Sequence, residues 1–383
     1  MKKKSVDTKG LRTWVEIDTK ALKHNFSIFR NRVTPQVQLM AIAKSNAYGH
    51  GLAPYAKTME RFGADWLGVD SIKEALRLRE EGIKCPMLVL GYTLPENISL
   101  GARYRIDLTV STKEGLSCCA KLSQSDKQKL RIHLKIDTGM GRQGFLLEDM
   151  PNTVRFLKKH FQKKTIAGVY THFAAAKNPS FPKETLEQVE RFKKAVALLQ
   201  HAGFTPIRHA CATSGTLLFP SAHFDMVRIG IGLFGLWPAK EVQAAHEDRV
   251  FLKPALSWKT IIGEVKTFRR GSGIGYDLTE RLPAGSRIAV CPIGYWHGYP
   301  RSLSSIGRGL VRGKNAKILG RISMDMIAID ISRIANARVG DEVVLIGRDK
   351  NACITADELA SLANTTNYEI VTRINPLIKR IYL

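Results

Sequence analysis

The segment LMAIAKSNAYGHG, residues 39–51, contains the features on which the fold assignment depends. Its first five residues, 39–43, are apolar and are typical of a buried β-strand that ends at Lys44. Gly49 and Gly51 then permit a tight connection before a helical pattern begins. A lysine at the end of a buried strand usually extends to solvent, so this segment alone establishes no function.

The order of an apolar run followed by a helical pattern recurs from residue 14 to about residue 235. The runs lie at 39–43, 66–69, 86–90, 106–110, 131–136, 166–171, 207–212 and 226–231. Eight βα units of this kind favour an α/β fold with a closed (β/α)₈ barrel over an open doubly wound sheet. Barrels keep their chemistry at the C-terminal ends of their strands, so we expect Lys44, Lys135, His172 and Arg228 to converge there.

Capping boxes predict where several of the helices begin. In this motif a hydroxyl accepts a hydrogen bond from a backbone N–H three residues later, and a glutamate at that later position reaches back to the capping residue. The pairs are Ser71 with Glu74, Ser111 with Glu114, and Thr355 with Glu358.

The sequence changes character at about residue 250, where polar and apolar residues alternate between glycine-containing turns. This pattern predicts antiparallel strands. One helix is expected within residues 355–364, and the final segment, 368–383, has the composition of a strand. We expect a barrel domain over residues 15–250 and a mostly-β domain over residues 251–383, joined by an N-terminal strand within residues 1–14.

The net charge of +25 is the unusual feature of the composition. Basic proteins often bind nucleic acid, because lysine and arginine neutralise phosphates. Here the basic residues are spread over helical patterns such as RFLKKHFQKK, residues 155–164, and form no known nucleic-acid motif. We therefore expect a solvated basic surface and no nucleic-acid partner.

The cysteines argue against a metal centre or a disulfide framework. There are six of them, with no C-x-x-C pair and no zinc-type spacing with histidine. No run of 18 apolar residues predicts a membrane span, and the basic N-terminus lacks the apolar stretch of a signal peptide. We expect a soluble, cytoplasmic protein without a metal site and without a membrane partner.

Six motifs follow one another along the chain and resemble those of the alanine racemase family. They are AIAKSNAYGHG (41–51), HLKIDTGMGRQGF (133–145), YTHFA (170–174), DMVRIGIGLFG (225–235), GIGY (273–276) and GRISMD (320–325). One such motif would be weak, but six in the family's order are specific. The chain length and the two-part layout agree with the same resemblance.

The resemblance implies that pyridoxal 5'-phosphate is the cofactor and that Lys44 binds it as a Schiff base. Arg228 would face the pyridine nitrogen, where a guanidinium donates a hydrogen bond and leaves that nitrogen without a proton. The cofactor would then be a weaker electron sink, which favours prompt reprotonation over side reactions. The implied phosphate ligands are Tyr48, the backbone N–H groups of Gly230 and Ile231, and a hydroxyl of Thr213 or Ser214.

Gly230, Gly232 and Gly235 also form a G-x-G-x-x-G sequence. By itself this fingerprint is a weak indication of a dinucleotide site. No acidic residue follows a second strand at the expected distance, so we favour a monophosphate bound by glycine N–H groups.

Racemisation requires proton transfer on both faces of the α-carbon, and one lysine reaches only one face. The resemblance implies that Lys44 serves the D face and that Tyr276, from the β domain of a second subunit, serves the L face. His172 and Arg142 are expected beside the tyrosine hydroxyl. Lys135 matches a lysine that the family commonly carbamylates, although a bound anion could neutralise it instead.

Taken together, the motifs imply a homodimeric, pyridoxal-phosphate-dependent alanine racemase that supplies D-alanine for peptidoglycan. Its alanine substrate would contact Arg142, Met324, Tyr295, Asp325 and Arg301. A serine or broad-specificity racemase of the same fold is an alternative, because an apolar pocket rejects an added hydroxyl only about 10²-fold. A non-catalytic pyridoxal-phosphate protein fits less well, since such proteins consist of the barrel alone.

Overall fold

The computed structural model describes residues 7–383, which form two compact units. The barrel unit comprises residues 21–47 and 52–254, and the β unit comprises the chain up to Lys20, residues 48–51 and residues 255–383. Residues 1–6, the start of the predicted N-terminal segment, lie outside the described residues. The expected boundary after residue 250 lies shortly before the barrel unit ends at Pro254.

Eight parallel strands form a closed barrel, which confirms the predicted (β/α)₈ fold. Strand β1 (Thr13–Ile17) belongs to the β unit and precedes them. The barrel strands are β2 (Gln38–Ile42), β3 (Trp66–Val69), β4 (Met87–Val89), β5 (Asp107–Val110), β6 (Ile132–Lys135), β7 (Ile166–Tyr170), β8 (Ile207–His209) and β9 (Met226–Ile229). Strand β2 pairs with both β3 and β9, and this second pairing closes the ring. Because helices cover the outside, the strands read as apolar runs without alternation.

Helices connect the barrel strands and pack one face against them. They are α1 (Thr19–Arg32), α2 (Leu52–Phe62), α3 (Ile72–Glu80), α4 (Ile98–Arg103), α5 (Lys113–Ala120), α6 (Gln124–Lys129), α7 (Met150–His160), α8 (Lys183–His201), α9 (Thr213–Leu218) and α10 (Lys240–Ala244). Helix α7 shows the pattern, since it buries Met150, Thr153 and Leu157 at helical spacing. Among the described helices, none combines the length and apolar character that a membrane span requires.

Two of the predicted capping boxes differ from the structure. Ser71 caps α3 by accepting from Glu74 N at 3.3 Å, but the Glu74 carboxylate accepts from Asp70 N instead of reaching Ser71. Helix α5 is capped by Thr112, which accepts from Gly115 N at 3.0 Å, one residue later than the predicted Ser111.

The barrel interior contains polar side chains among the apolar ones. Those of Asp107, His133, Lys135, His209 and Arg228 belong to residues that are at most 6% exposed. Some of them bond to each other from strands that are not neighbours in the sheet, so they lie inside the ring. Polar groups are costly to bury without partners, which makes this interior the first place to look for function.

The β unit contains a ten-stranded sheet and a small two-stranded one. Its further strands are β10 (Leu256–Ile261), β11 (Glu264–Phe268), β12 (Gly273–Ile274), β13 (Glu280–Arg281), β14 (Ser286–Cys291), β15 (Arg308–Val311), β16 (Lys314–Leu319), β17 (Ile327–Asp330), β18 (Glu342–Asp349), β19 (Ala352–Ile354) and β20 (Lys379–Tyr382). The order in the large sheet is β11-β14-β17-β16-β15-β18-β10-β1-β20, with β19 paired to β18. The N-terminal strand β1 therefore lies between β10 and β20.

The C-terminal segment is more helical than the sequence analysis predicts. Helix α11 (Ala356–Leu362) begins after the predicted cap Thr355, but a second helix, α12 (Asn367–Thr372), occupies part of the segment expected to be a strand. Ile370 and Val371 have strand propensity, yet with Asn367 they form one buried helical face, so packing overrides propensity here. Only β20 at the end of this segment is extended.

Candidate active site

Lys44 follows β2 at the C-terminal end of the barrel, and an unusual turn comes directly after it. Ser45, Asn46, Ala47 and Tyr48 all have left-handed backbone angles, with φ between 51° and 57°. This conformation costs about 1 kcal/mol or more for each non-glycine residue. The Lys44 amine lies 3.8 Å from a carboxylate oxygen of Asp70, which follows β3.

The carboxylate of Glu74 stabilises this left-handed turn. Its Oε1 accepts from Ser45 N at 2.8 Å and from Asn46 N at 3.4 Å, while its Oε2 accepts from Asp70 N at 2.8 Å. Asn46 then accepts from Leu52 N at the start of α2. Glu74 therefore joins the backbone directly after Lys44 to that of Asp70, a role that the predicted capping box does not describe.

Arg228 on β9 is a deeply buried cation. Its NH2 donates to the carbonyl oxygens of Thr171 and Ala210 at 2.8 and 2.9 Å, and its NH1 lies 3.0 Å from Nδ1 of His209. These bonds and the contact with His172 use NH1 and NH2. Nε–H of Arg228 makes no hydrogen bond within residues 7–383. Burial lowers the pKa of Arg228 to about 10, which leaves the guanidinium charged at neutral pH.

His172, two residues after β7, is held in the neutral form. Burial, together with the charges of Arg228, Arg142, Lys135 and Lys44, lowers the pKa of His172 to about 3. NH2 of Arg228 lies 3.3 Å from Nδ1 of His172. This NH2 already donates its two hydrogens to Thr171 O and Ala210 O, so Nδ1 shares one of them; because a guanidinium only donates, the compatible tautomer has Nδ1 unprotonated and the imidazole proton on Nε2.

Lys135 ends β6 inside the same positive environment. Burial first, and then the charges of Arg142, Arg228 and Lys44, lower the pKa of Lys135 to about 8. Its Nζ donates to Oε1 of Gln143 at 3.0 Å. A substantial share of this lysine is therefore uncharged near pH 8, which is the form that carbamylation requires.

Arg142 lies on a loop that one carboxylate organises. Asp137 accepts backbone hydrogen bonds from Gly139, Met140 and Gly141 through Oδ1 and from Arg142 through Oδ2, at 2.9 to 3.1 Å. The pKa of Asp137 is lowered: burial opposes this, but the four N–H donors outweigh it. The Arg142 side chain is exposed, so the loop fixes its backbone and leaves the guanidinium free to reach a ligand.

The glycine-containing loop after β9 meets the start of helix α9. Thr213 Oγ1 accepts from Gly230 N at 3.2 Å, and Ile231 begins a short 3₁₀ turn, Ile231–Phe234. Ser214 is 6% exposed beside Thr213. A Cβ on Gly232 would lie 2.4 Å from Phe29, so this glycine is required for packing. The structure thus places Thr213, of the two hydroxyls left open by the sequence, next to Gly230.

Tyr48 ends the left-handed turn and belongs, with residues 49–51, to the β unit. Burial raises its pKa to about 12. Its ring lies 6.1 Å from that of Tyr368, and Arg380 donates to the carbonyl oxygen of Gly49 at 3.0 Å. A phenol with a raised pKa keeps its proton and can act as a hydrogen-bond donor.

The β unit brings its candidate residues together on neighbouring loops. Tyr276 begins a 3₁₀ turn, Tyr276–Leu278, whose middle residue Asp277 forms an ion pair with Arg321. Tyr295 N donates to Ser323 O at 3.1 Å, which joins its turn to the loop that carries Met324. The exposed fractions of Tyr276, Tyr295 and Met324 are 65%, 42% and 54%, so these side chains are open to a ligand or another chain.

Asp325 and Arg301 are the two remaining candidates in the β unit, and both are largely exposed to solvent. Asp325 is 3.9 Å from Nδ1 of His297, and its side chain is 55% exposed. Arg301 begins a short 3₁₀ turn, Arg301–Leu303, and is exposed. Their assigned roles in substrate binding stay predictions.

The donor set of the barrel pocket fits an anionic cofactor. Four cations, those of Lys44, Lys135, Arg142 and Arg228, all lower the pKa of His172, so all four lie within electrostatic range of one imidazole. A phosphate and a phenolate oxygen would supply the negative charge that this space needs. An amine at a strand end, a buried guanidinium, backbone N–H groups and a hydroxyl are the groups that such a ligand would bind.

Several residues of the pocket were not identified from the sequence. They are Glu74, Tyr170, His209 and Gln143. The Tyr170 ring lies under Lys135 and Arg228, whose charged groups are 5.4 and 5.2 Å from its centroid. Tyr170 is the last residue of β7 and precedes His172 by two residues, and this spacing at a strand end is the signal that could have revealed it.

Comparisons with known proteins agree with this geometry. The profile of the alanine racemase N-terminal domain matches residues 17–238, and that of the alanine racemase C-terminal domain matches residues 255–382. An alanine racemase from Leptospira interrogans (serovar copenhageni) is 40% identical over 378 residues, covering 96% of this chain and 95% of the relative. One from Symbiobacterium thermophilum is 40% identical over 379 residues, covering 98% and 99%.

A solved structure gives the same result. The crystal structure of alanine racemase from Bacillus anthracis with bound L-Ala-P matches with a TM-score of 0.90 and 34% identity. The match covers 97% of this chain and 95% of that chain. The family resemblance found in the sequence is thereby confirmed over both units.

Proposed function

This chain is an isomerase of the alanine racemase family, and from that premise we propose that it interconverts L- and D-alanine with pyridoxal phosphate. The observation that carries the proposal is the pocket at the C-terminal end of the barrel. There Lys44 directly precedes a strained turn, and its charge and that of the buried guanidinium of Arg228 both act on the imidazole of His172. Neither an isolated lysine nor an isolated arginine would indicate this chemistry.

Pyridoxal phosphate would be held by Lys44, Arg228, Tyr48, Thr213 and the backbone N–H groups after β9. When bound, the cofactor withdraws electrons from an amino acid joined to it and so acidifies the α-hydrogen. The buried guanidinium stays charged because its pKa is about 10, so it would hold the ring nitrogen of the cofactor as a hydrogen-bond donor without protonating it. An unprotonated ring nitrogen favours prompt return of a proton to the α-carbon over side reactions.

Lys44 would be the base on one face of the substrate. Its Nζ takes the α-proton of D-alanine and returns one to form D-alanine. The Glu74 carboxylate binds the first two residues of the left-handed turn that follows Lys44, so the amine is presented from a fixed position. Strain of this kind persists where the surrounding structure enforces it, and it is common at functional sites.

Tyr276 of a second copy of the chain would be the base on the other face, toward L-alanine. A tyrosine hydroxyl ordinarily has a pKa near 10, so it needs donors to stabilise the phenolate. His172 can serve, because its proton is on Nε2 while Nδ1 accepts from Arg228. Arg142, whose guanidinium is exposed, would bind the substrate carboxylate.

A homodimer is part of the proposal, since the second base arrives from another chain. Its support is the exposed apolar side chains on the loops of the β unit that carry Tyr276, Tyr295 and Met324. Apolar clusters of this kind are typical of surfaces that another protein covers. The neighbouring Leu278 and Trp296 are 52% and 59% exposed, which extends the same surface.

The biological role we propose is the supply of D-alanine for peptidoglycan in the cytoplasm. Substrate choice between alanine and serine depends on contacts around Tyr295 and Met324 that a second copy would complete. Lys135 would position Arg142, either as a carbamate or beside a bound anion.

A racemase assay with and without added pyridoxal phosphate tests this proposal. We expect turnover of L-alanine that depends on the cofactor and exceeds turnover of L-serine. Mixing inactive Lys44→Ala and Tyr276→Phe chains in equal amounts should restore about one quarter of the activity, because half of the dimers are mixed and each contains one intact site. Absence of recovery, with mixed dimers demonstrated by tagged chains, would show that the site is not shared.

A further inference from the structure

A line of buried polar side chains crosses the barrel interior from Arg228. NH1 of Arg228 is 3.0 Å from Nδ1 of His209, and Nε2 of His209 is 2.9 Å from Nδ1 of His133. Nε2 of His133 is then 3.2 Å from Oδ2 of Asp107. We name these four residues the Asp107 relay. They come from strands β9, β8, β6 and β5, so the line connects the catalytic end of the barrel with the start of β5.

The hydrogens of the relay can be ordered in one way only. A guanidinium donates and cannot accept, so His209 accepts at Nδ1 and its proton is on Nε2. That proton is donated to Nδ1 of His133, whose own proton is therefore on Nε2 and is donated to Asp107. Burial and the charge of Arg228 lower the pKa of His209 well below its usual range, which keeps this imidazole neutral.

Arg228 needs a counter-charge that its direct contacts do not supply. Its recorded partners are two carbonyl oxygens and the imidazoles of His209 and His172, and no carboxylate among the described residues contacts it. A buried cation without a compensating anion is strongly unfavourable. Asp107, 5% exposed, ends the relay with a negative charge.

The rings of the relay are fixed by close packing. A Cβ on Gly168 would lie 2.2 Å from Nδ1 of His133, so only glycine leaves room for this imidazole. His209 stacks on Tyr170 with ring centroids 4.7 Å apart and an interplanar angle of 7°. Trp66 contacts His133 edge-on with centroids 5.5 Å apart. Neither imidazole can turn without displacing these neighbours.

We propose that Asp107 is a positioning residue for the racemase reaction, acting through His133 and His209 as the distant counter-charge of Arg228. The relay holds the guanidinium charged and immobile, with Nε–H directed away from the groups that NH1 and NH2 bind. This inference rests on the proposed function, because that function assigns Arg228 to the cofactor ring. It adds a residue at the far end of the barrel that no pocket contact would reveal.

The test compares Asp107→Asn with Arg131→Gln in the full chain. Arg131 Nε donates to both carboxylate oxygens of Asp107 at 3.1 Å, and its side chain is 47% exposed. Arg131→Gln therefore removes the other contact of Asp107 but keeps the charge that ends the relay. Histidine-selective ¹⁵N labelling gives the ring N–H signals of His133 and His209, assigned from single histidine variants.

In the unaltered chain we expect strongly downfield ring N–H protons that exchange slowly. Asp107→Asn should move or abolish these signals and lower kcat for alanine about tenfold, in the range found for outer partners of functional histidines. Arg131→Gln should leave both the signals and kcat unchanged. Unchanged histidine signals in Asp107→Asn, or an equal effect of Arg131→Gln, would overturn the proposal.

A second variant covers the case in which Asp107→Asn does not fold. His133→Phe interrupts the relay but leaves the Asp107–Arg131 pair intact, and it should lower kcat to a similar extent. Full activity in His133→Phe would also overturn the proposal. The histidine signals are measured without substrate, so they test the relay even if the unaltered chain fails to racemise alanine, a result that would contradict the proposed function alone.

Discussion

In the barrel unit Arg228 is 3% exposed and both of its terminal nitrogens, NH1 and NH2, have partners, whereas in the β unit Tyr276 is 65% exposed at the start of a short turn. The barrel pocket is preorganised within one chain by carboxylates behind it, those of Glu74, Asp137 and Asp107. The β-unit loops instead present side chains outward. Under the proposed function, this difference means that cofactor binding would be built into one chain, while proton transfer on the second face would depend on association with another chain.

Removing the amine of Lys44 should have the largest effect of the changes considered, because it acts directly on the barrel pocket. Lys44→Ala lacks both the covalent anchor and one base, so we expect racemisation to fall by more than about 10⁴-fold. The visible absorbance of the lysine-bound cofactor should also disappear. Lys193→Ala, which alters an exposed lysine on α8, is the control and should retain both. Persistence of the absorbance in Lys44→Ala would refute the cofactor assignment.

Removing the hydroxyl of Tyr276 tests the role of the exposed side chains on the β-unit loops. Tyr276→Phe should slow solvent exchange of the α-hydrogen of L-alanine by about 10² to 10⁴-fold, the usual contribution of one general base. Exchange of D-alanine through Lys44 should fall much less. Tyr104→Phe, at a 49% exposed tyrosine of the barrel unit, should leave both exchange rates unchanged. Equal losses for the two enantiomers would contradict a two-base site.

Removing the Glu74 carboxylate tests how far the pocket around Lys44 depends on preorganisation. Glu74→Ala removes the acceptor of three backbone N–H groups, so we expect the free energy of unfolding to fall by about 2 kcal/mol. Cofactor affinity should fall as well, because the left-handed turn loses its restraint. Glu80→Ala on the same helix alters only an exposed ion pair with Arg77 and should change neither. Urea unfolding and cofactor titration measure both quantities.

The smallest expected effect is the pH dependence of stability caused by His172. Its pKa is about 3 in the folded chain but near 6.5 when unfolded, so between these values only the unfolded chain binds the proton. Stability is therefore full above pH 6.5 and decreases on acidification. From pH 6.5 to 5.5 the unaltered chain should lose up to about 1 kcal/mol more than His172→Gln, measured by urea unfolding. If the unfolding free energies of the unaltered chain and His172→Gln changed in parallel with pH, His172 would not be held neutral.

Local patterns in the sequence were sufficient for the barrel but not for every helix boundary. The eight apolar runs coincide with strands β2 to β9, because buried parallel strands must be apolar along their whole length. The capping hydroxyl of α5 was placed one residue early, and α12 was taken for a strand. At α5 two adjacent residues, Ser111 and Thr112, both carry a hydroxyl that could cap the helix. In α12, Ile370 and Val371 favour a strand, and packing overrides that propensity.

The sequence by itself determined the fold class and the family, and it supplied the candidate pocket residues, since motifs of several residues reflect the chemistry at the strand ends. Only the tertiary structure decided which distant groups support them: Glu74 behind Lys44, Gln143 beside Lys135, and the line from Arg228 to Asp107. Glu74 and Lys44, like Asp107 and Arg228, are far apart along the chain, and an aspartate or histidine inside a strand looks the same whether or not it meets a partner. Hydrogen bonds join atoms in space, so their pairing is fixed by closure of the barrel and packing of its interior.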